Sequence, residues 1–141
     1  MKVNAIPIKK ETELNFHKLM DMAQPDDSLL LLMYGSPDPD AIASAMALRE
    51  ILQRTKGLSK SAFVSTEPLD RQQNIELVSC LHLDIQRMNQ VDVASYRVTA
   101  LLDAQPSFFT HFPDALRPQI VFDHHPYEGQ WSAELMDVRP N

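Results

Sequence analysis

Three largely apolar runs, at positions 29–33, 98–102 and 120–122, stand out from an otherwise mixed chain. Runs of this length without polar alternation read as strands buried on both faces, as in a parallel sheet. A shorter apolar piece at 62–64 adds a strand, alternation at 83–88 predicts another, and an apolar-alternating stretch runs over 131–138. The long runs extend to strands over 97–102 and 119–122, with the first strand at 28–33. Helical spacing appears between them. Over 11–22 it places Leu14, Phe16, Leu19, Met20 and Met22 near one face, and 41–54 and 69–81 read as further helices. Strand–helix alternation of this kind predicts an α/β fold: a mostly parallel, Rossmann-like sheet with right-handed crossovers, flanked by helices.

Local punctuation supports these boundaries. Gln24-Pro-Asp-Asp27 ends the first helix, Asp40 is placed to cap the second, and Lys56-Gly57-Leu58 closes it. The small residues Ala41, Ala43, Ser44, Ala45 and Ala47 permit close packing of that second helix on the sheet. A stretch at 106–118, rich in Pro and Phe, reads as a loop. No repeat, low-complexity tract or linker divides the chain. The expected organisation is a helical lead-in over 1–27 and one α/β domain over 28–141.

Composition narrows the function classes. A chain of 141 residues, 44% apolar, can bury a real core. Thirteen basic against nineteen acidic residues give a net charge of −6, with no basic stripe, so duplex DNA held by charge alone is not expected. Metal ions can still carry positive charge to a small phosphorylated ligand. The lone cysteine, Cys80, excludes an internal disulfide and a cysteine-based zinc site, and its apolar neighbours read as a core setting. The first seven residues lack the apolar core of a signal peptide, and no stretch is long enough for a membrane span. A cytoplasmic location is expected.

The candidate chemistry sits where the apolar runs end. Pro37-Asp38-Pro39-Asp40 follows the first run, Asp103 the second, and Asp123-His124-His125 the third. In open α/β sheets ligands bind beyond the carboxyl ends of the strands, so neighbouring strands would bring these side chains to one crevice. Each cluster also has a plain reading. Asp and Pro form turns, an aspartate at a helix start caps it, and a charge can mark where a strand meets solvent. Adjacent histidines after an aspartate are harder to explain that way. Carboxylates with imidazoles suit divalent Mn, Mg, Fe or Zn, and two such ions can drive phosphoester hydrolysis. His17, His82 and His111 have no acidic company and read as surface or packing residues.

Gly35-Ser-Pro-Asp-Pro-Asp-Ala-Ile-Ala-Ser44, Leu101-Leu-Asp103 and Val121-Phe-Asp-His-His-Pro126 resemble, in order, the first three motifs of the DHH phosphoesterase family. That family includes RecJ-type exonucleases, oligoribonucleases, pAp phosphatases, cyclic-dinucleotide phosphodiesterases and manganese pyrophosphatases. The resemblance covers about residue 28 onward and implies a metal-dependent phosphoesterase acting on short single-stranded oligonucleotides or small nucleotides. It implies Mn, or Mg, as cofactor and a homodimer as one form of assembly. Carried over by position, Asp38 would bind a first ion and Asp40 a second, Asp103 would bridge them, and His124 would ligate the second. Asp123 would support the histidines, and His125 would lie by the scissile phosphate. The family has histidine where this chain has Tyr34, a poor ligand near neutral pH with a pKa of ~10. Its fourth motif and substrate domain lie further downstream, so the chain resembles the amino-terminal part of such a protein. The rival expectation is a noncatalytic module of the same fold that binds a nucleotide or a partner protein.

Overall fold

The computed structural model describes residues 8–140. The chain forms α1 (Lys10–Met22), β1 (Ser28–Met33), α2 (Pro39–Lys56), β2 (Lys60–Ser65), α3 (Gln72–Cys80), β3 (Ile85–Arg87), β4 (Val98–Leu102), β5 (Ile120–Asp123) and β6 (Leu135–Val138). The six strands make one sheet, ordered β3-β2-β1-β4-β5-β6, in which every pairing is parallel. The expected α/β fold with a parallel sheet flanked by helices is therefore what the chain adopts. This order turns back on itself between β1 and β4, which lie side by side although α2, β2, α3 and β3 separate them in sequence. Such a switch point leaves a crevice at the carboxyl edge of the sheet.

The central strands owe their place to their composition. Leu29 through Met33 and Ala100 through Leu102 are buried on both faces. One face packs Leu29, Leu31, Met33, Ala100 and Leu102 against α1 and α2. The other packs Leu30, Leu32, Leu101 and Val121 against the residues around Phe108, Phe109, Phe112 and Trp131. The 106–118 stretch thus covers the sheet with short 3-10 turns (Pro106–Phe108, Asp114–Leu116) instead of a full helix.

Several expectations need correction. Asp38, not Asp40, caps α2: its side chain accepts a hydrogen bond from the Ala41 amide at 3.0 Å, with Pro39 in the first turn. Proline has no N–H to satisfy and a preset φ, so the helix starts there. Asp40 falls inside the first turn. Leu14 and Phe16 face solvent, because the inner side of α1 at that end is taken by Thr12 and Asn15, which bond Arg139 and Asp137. α3 begins at Gln72 rather than 69, since Asp70 is engaged by Ser36 and Leu69 packs on the core. Only Leu135–Val138 of the 131–138 stretch and Ile85–Arg87 of 83–88 pair as strands. Cys80 is exposed at the end of α3, not in the core. Residues 1–7 of the expected lead-in, and Asn141, lie outside the described residues.

Candidate functional site

The carboxyl ends of β1, β4 and β5 share one edge because the strands are parallel and adjacent. After β1, Gly35 turns the chain at φ +69°, a left-handed conformation that favours glycine. The loop beyond it is tied down from a distance. The Gly35 amide donates to Thr66 Oγ1 at 2.6 Å, and the buried Asn74 side chain donates to the Pro37 carbonyl at 3.1 Å. These contacts, with the cap at Asp38, set the start of α2.

Asp103 follows β4 directly and adopts φ +57°, unusual for a residue with a side chain. Its amide still donates to the Phe122 carbonyl at 2.8 Å, so the twist does not break the pairing with β5. Strain of about 1 kcal/mol or more at such a residue commonly accompanies a binding site. The turn brings Asp103 Oδ1 to 3.0 Å from His124 Nε2. Burial, and then the nearby Asp38 carboxylate, push the Asp103 carboxyl above its ordinary 3.8, with His124 and His125 pulling the other way.

The Asp-His-His segment after β5 is organised around Asp123, which is 8% exposed. His125 Nδ1 lies 2.7 Å from Asp123 Oδ1. A buried carboxylate accepts, so Nδ1 carries the proton and Nε2 remains for an ion or a phosphoryl oxygen. This hydrogen bond raises the His125 pKa above 6.5, against the opposing effect of burial. The other oxygen, Asp123 Oδ2, accepts from Gln105 Nε2 at 2.7 Å. Gln105 is fully buried; it also donates to the Pro126 carbonyl at 2.9 Å and accepts from the Glu128 amide at 2.9 Å. Sequence reasoning missed Gln105 and Asn74 as organisers of the site. The only signal for Gln105 was its place two residues beyond the strand-end aspartate.

The ligand atoms of Asp103, His124 and His125 all lie within 4.8 Å of one another. Two ligands about 2.1 Å from one ion and at right angles to each other stand about 3 Å apart. The Asp103–His124 separation of 3.0 Å matches that spacing. One carboxylate with two imidazoles is also a donor set suited to Mn, Fe or Zn. The residues present therefore fit a divalent ion.

Asp38 and Asp40, expected among the metal ligands, are not in this close group and line two different clefts beside it. Asp40 lines a cleft of about 500 Å³ with Asp103, Asp123, His124, Asp137 and Arg139. Asp38 lines a second cleft of about 250 Å³ with Tyr34, Phe108, Asp103 and His125. Asp103 belongs to both. Arg139, missed in the sequence, is held by both Asp137 oxygens and donates to Thr12 Oγ1 at 3.0 Å, so it joins α1 to the end of β6 at the lip of the larger cleft. His17, His82 and His111 are exposed and apart from the cluster. Among the described residues no helix is long and apolar enough to cross a membrane.

No family model matches the chain, and no solved structure matches it. The chain is similar to the uncharacterized protein MJ1633 of Methanocaldococcus jannaschii, 34% identical over 113 residues. The match takes in 79% of this chain but 23% of that protein, so the chain spans about a quarter of the relative's length.

Proposed function

We propose that the chain is the metal-binding domain of a DHH-type phosphoesterase that hydrolyses short single-stranded oligonucleotides or small nucleotides in the cytoplasm. The observation that carries the reading is the convergence of Asp103, His124 and His125 at the carboxyl ends of β4 and β5, beside the switch point. Asp38 and Asp40 flank this group from the start of α2 and complete the set of side chains that would hold two divalent ions, Mn or Mg. When bound, such ions supply a hydroxide nucleophile at neutral pH and neutralise charge on the phosphoryl oxygens. Asp103, lining both clefts, is the carboxylate placed to serve both ions. His124 sits with Asp103 on the side of Asp40. Asp123 acts through His125, fixing its ring and tautomer so that Nε2 is presented to the phosphoryl group. Gln105 holds Asp123 in turn.

The test is direct. Calorimetry should detect weak Mn binding to the wild-type chain, which alone should hydrolyse little, and Asp103→Asn should abolish that binding and, in the full-length protein, Mn-dependent cleavage of a dinucleotide. Unchanged Mn affinity in Asp103→Asn would remove the proposed centre. A second reading is favoured by Tyr34, which replaces a ligand-capable histidine and is packed against Phe108 and Phe109. On that reading the domain binds a nucleotide without cleaving it. Binding of Mn and nucleotide with no turnover, by the chain in its longest natural form, would support it.

A further inference from the structure

The smaller cleft contains a feature that phosphoester chemistry does not use. Tyr34 leaves β1 at its carboxyl end and keeps 45% of its surface exposed, high for a large ring beside a packed core. It is not loose. Its ring meets Phe109 at 4.9 Å and 62°, and Phe108 at 6.0 Å and 66°. Phe109 is braced by Phe112 at 4.6 Å, and Phe108 meets the His125 ring edge-on at 5.4 Å. The rings thus form a continuous braced wall from the lip of the cleft to a histidine of the candidate metal cluster.

The position adds to the case. The wall stands where β1 and β4 part, the crevice in which sheets of this topology receive nucleotides. Leu102 and Ala41 give the cleft an apolar floor beside the Asp38 and Asp103 carboxylates. At about 250 Å³ it lies just under the roughly 300–1,000 Å³ of pockets that enclose a drug-sized ligand, leaving room for one ring system. Exposed aromatic faces next to a phosphate site bind bases by stacking, which tolerates any base because each has a π-face.

Resting on the phosphoesterase reading above, we infer that the exposed ring of Tyr34, braced by Phe108 and Phe109, forms a stacking subsite for the base of a nucleotide whose phosphoryl group lies at Asp103 and His125. Several hydrogen-bonding side chains line the cleft, but Asp38 already accepts from the Ala41 amide, His125 is bonded to Asp123, and on this reading Asp103 and His125 face the phosphoryl group. Ser36 already donates to Asp70 at 2.7 Å. The subsite therefore reads the presence of a planar ring rather than the identity of the base.

The experiment compares AMP, CMP and ribose 5-phosphate by calorimetry in Mn buffer, on the wild-type chain and on Tyr34→Ala and Tyr34→Phe. Both nucleotides should bind about tenfold more tightly than ribose 5-phosphate, in keeping with the usual strength of one base stack. Tyr34→Ala should erase that preference while leaving ribose 5-phosphate affinity unchanged, and Tyr34→Phe should retain it. Equal binding of AMP and ribose 5-phosphate to the wild type would overturn the subsite and leave the phosphate reading intact. A preference that survives in Tyr34→Ala would do the same. Failure of all three to bind would overturn the phosphoesterase reading and the subsite with it.

Discussion

Replacing Gln105 with leucine removes the side chain that donates to Asp123 Oδ2. The substitution keeps the volume nearly constant, so the cost comes from hydrogen bonds. Gln105 Nε2 serves Asp123 Oδ2 at 2.7 Å and the Pro126 carbonyl at 2.9 Å, while its Oε1 receives the Glu128 amide at 2.9 Å. Leaving a buried polar group unpaired costs about 1–3 kcal/mol, with charged groups at the upper end. Pro126 and Glu128 lie in exposed residues, where water can replace much of what is lost. The buried Asp123 oxygen has no such relief. The sum is about 3 kcal/mol. For a domain of this size each kcal/mol lowers Tm by roughly 3 °C, so Gln105→Leu should melt about 10 °C below wild type. Hydrogen exchange should rise locally over 123–128 and stay unchanged in β1. Gln105→Glu should fail differently. It sets a second carboxylate beside Asp123, so its deficit should shrink as pH falls and the pair takes up a proton. A Gln105→Leu protein melting within about 3 °C of wild type would refute the argument.

Two further outcomes follow from the same geometry. The His125 pKa is raised above 6.5 in the folded chain, so its pairing with Asp123 stabilises fully below that pH. This stabilisation is lost as pH rises through the higher folded value. Metal-free His125→Gln should accordingly lose less Tm than wild type between about pH 6 and about pH 9, and an identical slope would show that the pair contributes nothing. In the core, Leu101→Ala opens a cavity beneath the aromatic cover at a fully buried position and should cost about 2–5 kcal/mol in denaturant unfolding; a loss under about 1 kcal/mol would mean the 106–118 cover collapses into the space.

Much of this molecule is written in local pattern. The runs at 29–33, 98–102 and 120–122 could not be solvated without large cost, so their burial in a parallel sheet follows from composition alone. With the strands parallel, the acidic and histidine clusters that follow them had to share one edge, which is why Asp103, His124 and His125 were legible as a group. What pattern could not supply depends on partners distant in sequence. The turn before α2 is held at the Pro37 carbonyl by Asn74, which lies on α3 far along the chain. Leu14 and Phe16 satisfy the helical period yet lie in solvent, because Asp137 of β6 and Arg139 just beyond it offer α1 polar groups at that height. Gln105 looks like any loop residue until the return of β5 beside β4 places Asp123 against it. Tyr34 becomes part of an aromatic wall only once the 106–118 stretch folds back over the switch point. Periodicity reports which residues must leave water. Which polar group they then meet is decided by the order of the strands.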